Sequence, residues 1–104
     1  MGEYMPGPGE AVSSDVEQDV QPPAMYRVLL HNDDYTTMDF VVAVLEGIFR
    51  KPRDEAVRIM LNVHHGGTGV CGVYPGQVAE TKVAQVHAHA KTCGYPLKCS
   101  MEPE

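Results

Sequence analysis

Leu30-His31-Asn32-Asp33-Asp34-Tyr35-Thr36-Thr37-Met38-Asp39-Phe40 is the stretch on which the fold turns. An apolar run closes at Leu30, a cluster of hydrogen-bonding side chains follows, and a helical apolar pattern opens at Met38. A strand therefore hands over to a helix through Asn32, Asp33 and Asp34, whose side chains are suited to bonding nearby backbone in a turn. Thr36 with Asp39 fits a capping box, in which each side chain serves one end of the first helical turn. Taken locally, the stretch is as much a plain turn and cap as a set of ligand acceptors. The rest of the chain has to decide between them.

Working outward, Met25 to Leu30 alternates in part and ends in Val28-Leu29-Leu30, the pattern of a buried strand. Downstream, Met38, Val41, Leu45 and Phe49 recur at helical spacing, which predicts a helix from Met38 to Phe49. Lys51-Pro52 ends it, because a residue before proline is pushed away from the α region. Pro52, Asp54 and Glu55 suit the first turn of a second helix, whose Ala56, Met60, Val63 and His64 share a face until Gly66-Gly67 stops it. Gly69 to Tyr74 reads as a strand and Val78 to Thr92 as a third helix, with Pro75-Gly76 a poor cap that delays its start. Gly94 and Pro96 stop that helix, and Leu97 to Met101 forms a last strand. The expected class is α+β: a two-layer α/β sandwich in the order β-α-α-β-α-β, three short strands with three helices on one face.

Charge separates the chain into two parts. Residues 1–23 carry Glu3, Glu10, Asp15, Glu17 and Asp19 and no Lys or Arg, with four prolines and three glycines. Such a segment buries too little apolar surface to offset its ordering entropy, so a disordered acidic extension is expected over 1–23 and a folded core over 24–104. Five of the fourteen acids lie in the extension, which leaves nine against all eight bases in the core. The core is close to neutral and has no Lys/Arg stripe for a phosphate backbone, which argues against nucleic acid as a partner. No apolar run approaches the ~20 residues of a membrane span, and the first residues lack a signal-peptide pattern. Cys71, Cys93 and Cys99 form no CxxC, as expected of reduced thiols in a cytoplasmic protein.

The histidines, His31, His64-His65 and His87-Ala88-His89, sit at spacings that do not face one way on a helix, and no HExxH accompanies them. No metal and no cofactor are expected. Cys71 and Cys99 fall in apolar strands, where cysteine behaves as a small hydrophobe. No phosphate loop or nucleophile elbow accompanies the Asp33-Asp34 pair, so no catalytic residue is expected. A binding site is more coherent. Asn32 and Asp33 offer acceptors, His64 ends a helix that can return beside them, and Met38, Val41, Met60 and Val63 form either ordinary core or an adaptable apolar hollow.

The chain resembles the ClpS family, adaptors that hand substrates to the AAA+ unfoldase ClpA of the ClpA–ClpP protease. The residues that carry the resemblance are Met25-Tyr26-Arg27-Val28, Asn32 to Thr36, Met38-Asp39-Phe40-Val41 and Met60-Leu61-Asn62-Val63-His64, then Cys71-Gly72-Val73-Tyr74, Val78 to Ala84 and Pro96-Leu97-Lys98-Cys99. The match runs from about Pro22 to Met101. It implies recognition of N-degrons, proteins whose free first residue is Leu, Phe, Tyr or Trp. By the resemblance, Asn32, Asp33 and His64 hold the substrate α-amine and Asp34 and Thr36 shape the rim. Met38, Val41, Met60, Val63 and Leu97 surround the first side chain, with Met38 as a gate against β-branched residues. Glu80, Thr81 and Lys82 dock on the N-terminal domain of ClpA, and the adaptor works as a monomer.

Two departures from the family pattern bear on the site. Thr37 stands where proline is familiar, and His31 where an apolar residue is common. A charged His31 pointing at the site would repel the amine. Two other readings are compatible with the residues alone. One is a general protein-interaction module, since a similar sandwich occurs in the C-terminal domain of the ribosomal stalk protein. The other is a small hydrolase using Asp33, Asp34 and His64.

Overall fold

Alternation along the first strand sets the two sides of the molecule. In the computed structural model, which describes residues 21–104, β1 spans Met25–His31, with Val28 and Leu30 wholly buried. The expected extension lies outside the described residues except for 21–23, which precede β1 without regular structure. Two further strands flank β1, β2 (Thr68–Pro75) and β3 (Lys98–Pro103), both antiparallel to it, giving the order β2-β1-β3. A bulge opposite Val28 and Leu29 adds a residue to β2. Three helices cover one face: α1 (Met38–Gly47), α2 (Arg53–Gly66) and α3 (Gly76–Cys93). Among the described residues the order is therefore β-α-α-β-α-β in two layers, as expected.

The core lies between these layers. Val28, Leu30, Cys71 and Cys99 from the sheet meet Phe40, Val44, Leu45, Ile59, Val86 and Ala90 from the helices. Burial pushes the Cys99 thiol up to about 12, and burial together with neighbouring Cys99 raises the Cys71 thiol further. Both stay protonated and act as apolar packing. None of the described helices is long and apolar enough to cross a membrane.

Three local expectations are corrected. The cap of α1 is Thr37, whose Oγ1 accepts from Phe40 N at 3.1 Å, because Thr36 is drawn into the preceding turn. The helix ends at Gly47, two residues before the expected Phe49, and the chain then passes through Arg50 in the left-handed region at φ 56°. Lys51 N reaches back to the Leu45 carbonyl at 3.0 Å, which satisfies one of the carbonyls left open at the end of the helix. The third helix starts early, at Gly76, although Pro75 supplies no side-chain cap. Burial of Ala79, Val86 and Ala90 stabilises it without one.

One contact fixes the tilt of α2. A Cβ on Gly69 of β2 would stand 2.7 Å from Val63 Cγ2 and 3.3 Å from the Ile59 carbonyl oxygen, so only glycine allows helix and strand this close.

Candidate functional site

The connection between β1 and α1 is built by one carboxylate. Asp33 Oδ1 accepts from Tyr35 N at 2.8 Å and Thr36 N at 2.7 Å, while Oδ2 accepts from Thr36 Oγ1 at 2.7 Å. Burial by itself would raise the Asp33 pKa, but these bonds from Thr36 and Tyr35 outweigh it and hold the group below the ordinary carboxylate range. It is an anion at neutral pH, and Oδ2 keeps a lone pair for a further donor. Asn32 N donates to the Gly67 carbonyl at 2.8 Å, which ties this loop to the end of α2. That bond brings His64, in the last turn of α2, beside the acceptors of the loop.

The result is a hollow of about 390 Å³ lined by residues 32–38, Val41, Met60, Val63 and His64. Asn32, Asp33, Asp34, Thr36, Met38, Val41, Met60, Val63 and His64 all converge on it, and each was singled out in the sequence. Its apolar floor is buried, with Val41, Met60 and Val63 at most 8% exposed. Met38 is 46% exposed and stands at the opening. Polar acceptors and aliphatic and thioether side chains thus line one cavity. Such a cavity can hold a cationic head with an apolar group next to it.

Leu97 does not line this hollow. Lys98 opposes His31, so Leu97 lies at the same end of the sheet, but its side chain is turned into the core at 4% exposure. His31 is not in the hollow either. It projects from β1 alongside Ser100 of β3, and His31 Nε2 lies 2.6 Å from Ser100 Oγ. The condition for a repulsive His31 is therefore not met: strand alternation sends it to the opposite face from Leu30. The remaining histidines are engaged locally. His87 Nε2 accepts from Cys99 N at 3.0 Å, and the His89 ring stacks on Phe40 at 5.3 Å.

Tyr35 and Thr37 line the hollow and were not named from the sequence as site residues. The available signal was contiguity, since every residue from Asn32 to Met38 contributes. A larger, more open hollow of about 850 Å³ runs between α2 and the β2 edge. Its charges satisfy one another, with Lys51–Glu55 at 3.7 Å and Arg58–Glu55 at 3.8 Å, and it gathers no comparable set of free acceptors around an apolar floor. Size alone does not mark the site.

Glu80, Thr81 and Lys82 stand on α3, away from the hollow. Glu80 and Thr81 are exposed, and Thr81 Oγ1 donates to the Gln77 carbonyl at 3.0 Å. Lys82 Nζ instead donates to the Ile48 carbonyl at 2.7 Å and lies 5.8 Å from the Tyr74 ring. Val78, 42% exposed, borders a shallow depression with Gln77, Thr81 and Lys82.

A family model described as ATP-dependent Clp protease adaptor protein ClpS matches residues 21–100. An ATP-dependent Clp protease adapter protein ClpS from Oleidesulfovibrio alaskensis is 64% identical over 87 residues, covering 84% of each chain. The corresponding protein of Caulobacter vibrioides strain NA1000 is 55% identical over 98 residues, covering 94% of this chain and 90% of its own. Among solved structures, Agrobacterium tumefaciens ClpS2 bound to L-phenylalaninamide superposes with a TM-score of 0.77 at 40% identity, covering 80% of this chain and all of that one.

Proposed function

The chain belongs to the ClpS family of ATP-dependent Clp protease adaptor proteins, and from that premise we propose that it recognises N-degrons and delivers them to a ClpA-type unfoldase. Its substrates are proteins with a free N-terminal Leu, Phe, Tyr or Trp, bound by the 24–104 core in the cytoplasm. The observation that carries this reading is the convergence of Asn32, Asp33 and His64 with Met38, Val41, Met60 and Val63 on one hollow. An α-amine has a reference pKa of about 7.7–8.0 and is mostly cationic at neutral pH. The Asp33 carboxylate, the Asn32 amide oxygen and a neutral His64 nitrogen are the acceptors it needs. The ligand of the Agrobacterium relative, L-phenylalaninamide, joins a free α-amine to a benzyl side chain, the same two features.

Energetics require both features together. Hydrogen bonds to a charged group contribute roughly 1.5–3 kcal/mol each, and burial of a Leu or Phe side chain a similar amount. Association costs on the order of 4–15 kcal/mol, so neither half suffices alone. Met38 at the opening narrows the entry for a β-branched first residue, and a misfit of about one methylene corresponds to ~10–200-fold discrimination. A carboxylate held below its ordinary range is a weak base with no proton to give at neutral pH, so Asp33 is poorly matched to acid-base work, and the adaptor role needs no catalytic step.

Docking on the unfoldase N-terminal domain falls to the exposed part of α3, Glu80 and Thr81 with Val78 beside them. Lys82 contributes there mainly by holding the end of α1. The test is a titration with a fluorescent peptide that begins with Leu or Phe, alongside its N-acetylated twin. Binding of the free form alone supports amine recognition, and equal binding of both forms overturns it. In parallel, Glu80→Ala with Thr81→Ala should weaken capture by a ClpA N-terminal domain while leaving peptide binding intact.

A further inference from the structure

The two edges of the sheet are not alike. Among the described residues, β2 and β3 each have one side without a paired strand. β3 carries Lys98, Glu102 and Pro103, the kinds of residue that keep a further strand away from an edge. β2 carries no charged residue, and its only proline is its last residue, Pro75. Val70 and Val73 stand exposed on it at 45% and 37%. An uncharged, apolar edge of this kind invites a further strand. The bulge that leaves Cys71 without a partner on β1 limits how long an added ladder can be. Beside this edge runs the open hollow between α2 and β2. Lys51 and Arg58 share the carboxylate of Glu55, the only acid on its lining, so one positive charge is left over.

The chain itself carries a segment of matching chemistry. Residues 9–21 contain no proline, so each can offer a backbone N–H to a ladder. They contain no Lys or Arg either. Extended, the segment has Asp15, Glu17 and Asp19 on one side and Val12, Val16 and Val20 on the other. It leads into β1, whose first residue, Met25, lies opposite Pro75 at the end of β2. β2 is roughly 25 Å long, and a dozen extended residues reach roughly 40 Å. We infer that residues 9–21 add to the β2 edge of their own molecule as a fourth strand, with their last residues at the Pro75 end. The acids face Lys51 and Arg58, and the valines continue the strip begun by Val70 and Val73. Each gain is small, but a short tether holds the effective concentration in the millimolar range, so the contact is occupied within one molecule and weakened by salt. Its effect is to cover an edge that would otherwise pair with another copy. It does not depend on amine binding at the Asp33 hollow.

The experiment follows amide exchange by NMR in the isotope-labelled full-length chain. Two variants are compared with it: Val16→Pro, and the combination of Asp15→Asn, Glu17→Gln and Asp19→Asn. At low salt the outward-facing amides of β2 should exchange about three- to tenfold more slowly in the wild type than in either variant, and high salt should shrink the difference. Both variants lie outside the core, and the amides of β1 serve as the internal reference, so a change in global stability does not mimic the effect. A nitroxide on Ser14→Cys, in a Cys93→Ser background that leaves only the buried Cys71 and Cys99, should broaden the amides of Val70 and Gly72. Equal exchange in the wild type and both variants overturns the fourth strand. Broadening without slowed exchange overturns it too, because the segment would then lie near the edge without pairing to it. Equal broadening when spin-labelled chain is mixed with isotope-labelled chain that carries no nitroxide assigns the pairing to separate copies and overturns the contact within one molecule.

Discussion

Replacing Asp33 by Asn separates the turn that this carboxylate holds from the amine binding proposed for it. In the folded protein it accepts three hydrogen bonds, from Tyr35 N, Thr36 N and Thr36 Oγ1. An Asn amide oxygen can take over both backbone donors at the Oδ1 position, and the Thr36 hydroxyl can rotate to accept from the new NH₂ group. Asp33→Asn should therefore cost less than about 1 kcal/mol of stability. Asp33→Ala strands two backbone N–H groups and the hydroxyl, and should cost roughly 1–3 kcal/mol. Binding should order differently. Asn removes the anion facing the substrate amine, a charge-assisted bond of roughly 1.5–3 kcal/mol, so affinity for a Leu-initiated peptide should fall about 10- to 100-fold while the loop stays formed. Urea denaturation and fluorescence anisotropy on the same samples give both quantities.

The pH dependence adds an independent check. The folded pKa of Asp33 lies below its ordinary value, so the stability this group contributes is present above about pH 4 and disappears as pH falls through the lower, folded value. The stability gap between wild type and Asp33→Asn should close over that acidic window and stay constant from neutrality down to about pH 5. Equal affinity of wild type and Asp33→Asn for the peptide would refute the assignment of the amine to this carboxylate. A stability loss for Asn as large as for Ala would refute the account of the loop.

Gly69→Ala should destabilise by about 1–3 kcal/mol, because the added Cβ meets Val63 and the Ile59 carbonyl. Peptide affinity should fall too, since α2 carries Met60, Val63 and His64, and both are read by urea titration and anisotropy. Arg50→Gly should raise stability by about 0.5–1 kcal/mol through relief of a left-handed backbone at φ 56°, seen as a higher urea midpoint with unchanged peptide affinity. Thr37→Ala removes the only side-chain cap of α1 and should lower stability by about 1 kcal/mol in the same assay. Lys82→Met loses the bond to the Ile48 carbonyl and should cost about 1 kcal/mol, a loss measurable in the isolated protein before any partner is added.

Much of this architecture is local, which is why it is legible in the chain. The apolar spacing of Val41 and Leu45, the stop at Gly66-Gly67 and the turn residues at 32–34 each report their own neighbourhood. The misread points are places where two neighbours competed for one partner. Thr36 and Thr37 are equally good caps in isolation, and the choice between them was made by Asp33, which captured both the N–H and the hydroxyl of Thr36. The start of α3 was set by burial of Ala79 on the sheet, a tertiary effect that propensity at Pro75-Gly76 does not contain. The strand order β2-β1-β3 joins residues as distant as Tyr26 and Pro103, and no local pattern encodes it.

The site follows the same division. Its chemistry is local, because Asn32 to Met38 supply most of the lining as one uninterrupted run. Its geometry is not, because His64, Met60 and Val63 arrive only through the bond from Asn32 N to the Gly67 carbonyl and the close approach at Gly69. The apolar residues Met38, Val41, Met60 and Val63 could not be told from ordinary core by spacing, since a pocket floor and a core face present the same periodicity. What separates them is exposure at one end: Met38 stands open while the other three are buried. Leu97 shows the converse, an apolar residue at the right end of the sheet that packing turned inward. A pocket of this kind is a core left unfinished beside a loop of acceptors, and three bonds to Asp33 hold that loop in place. In the proposed function, acceptors fixed by the protein's own bonds leave little binding free energy to be lost in ordering them.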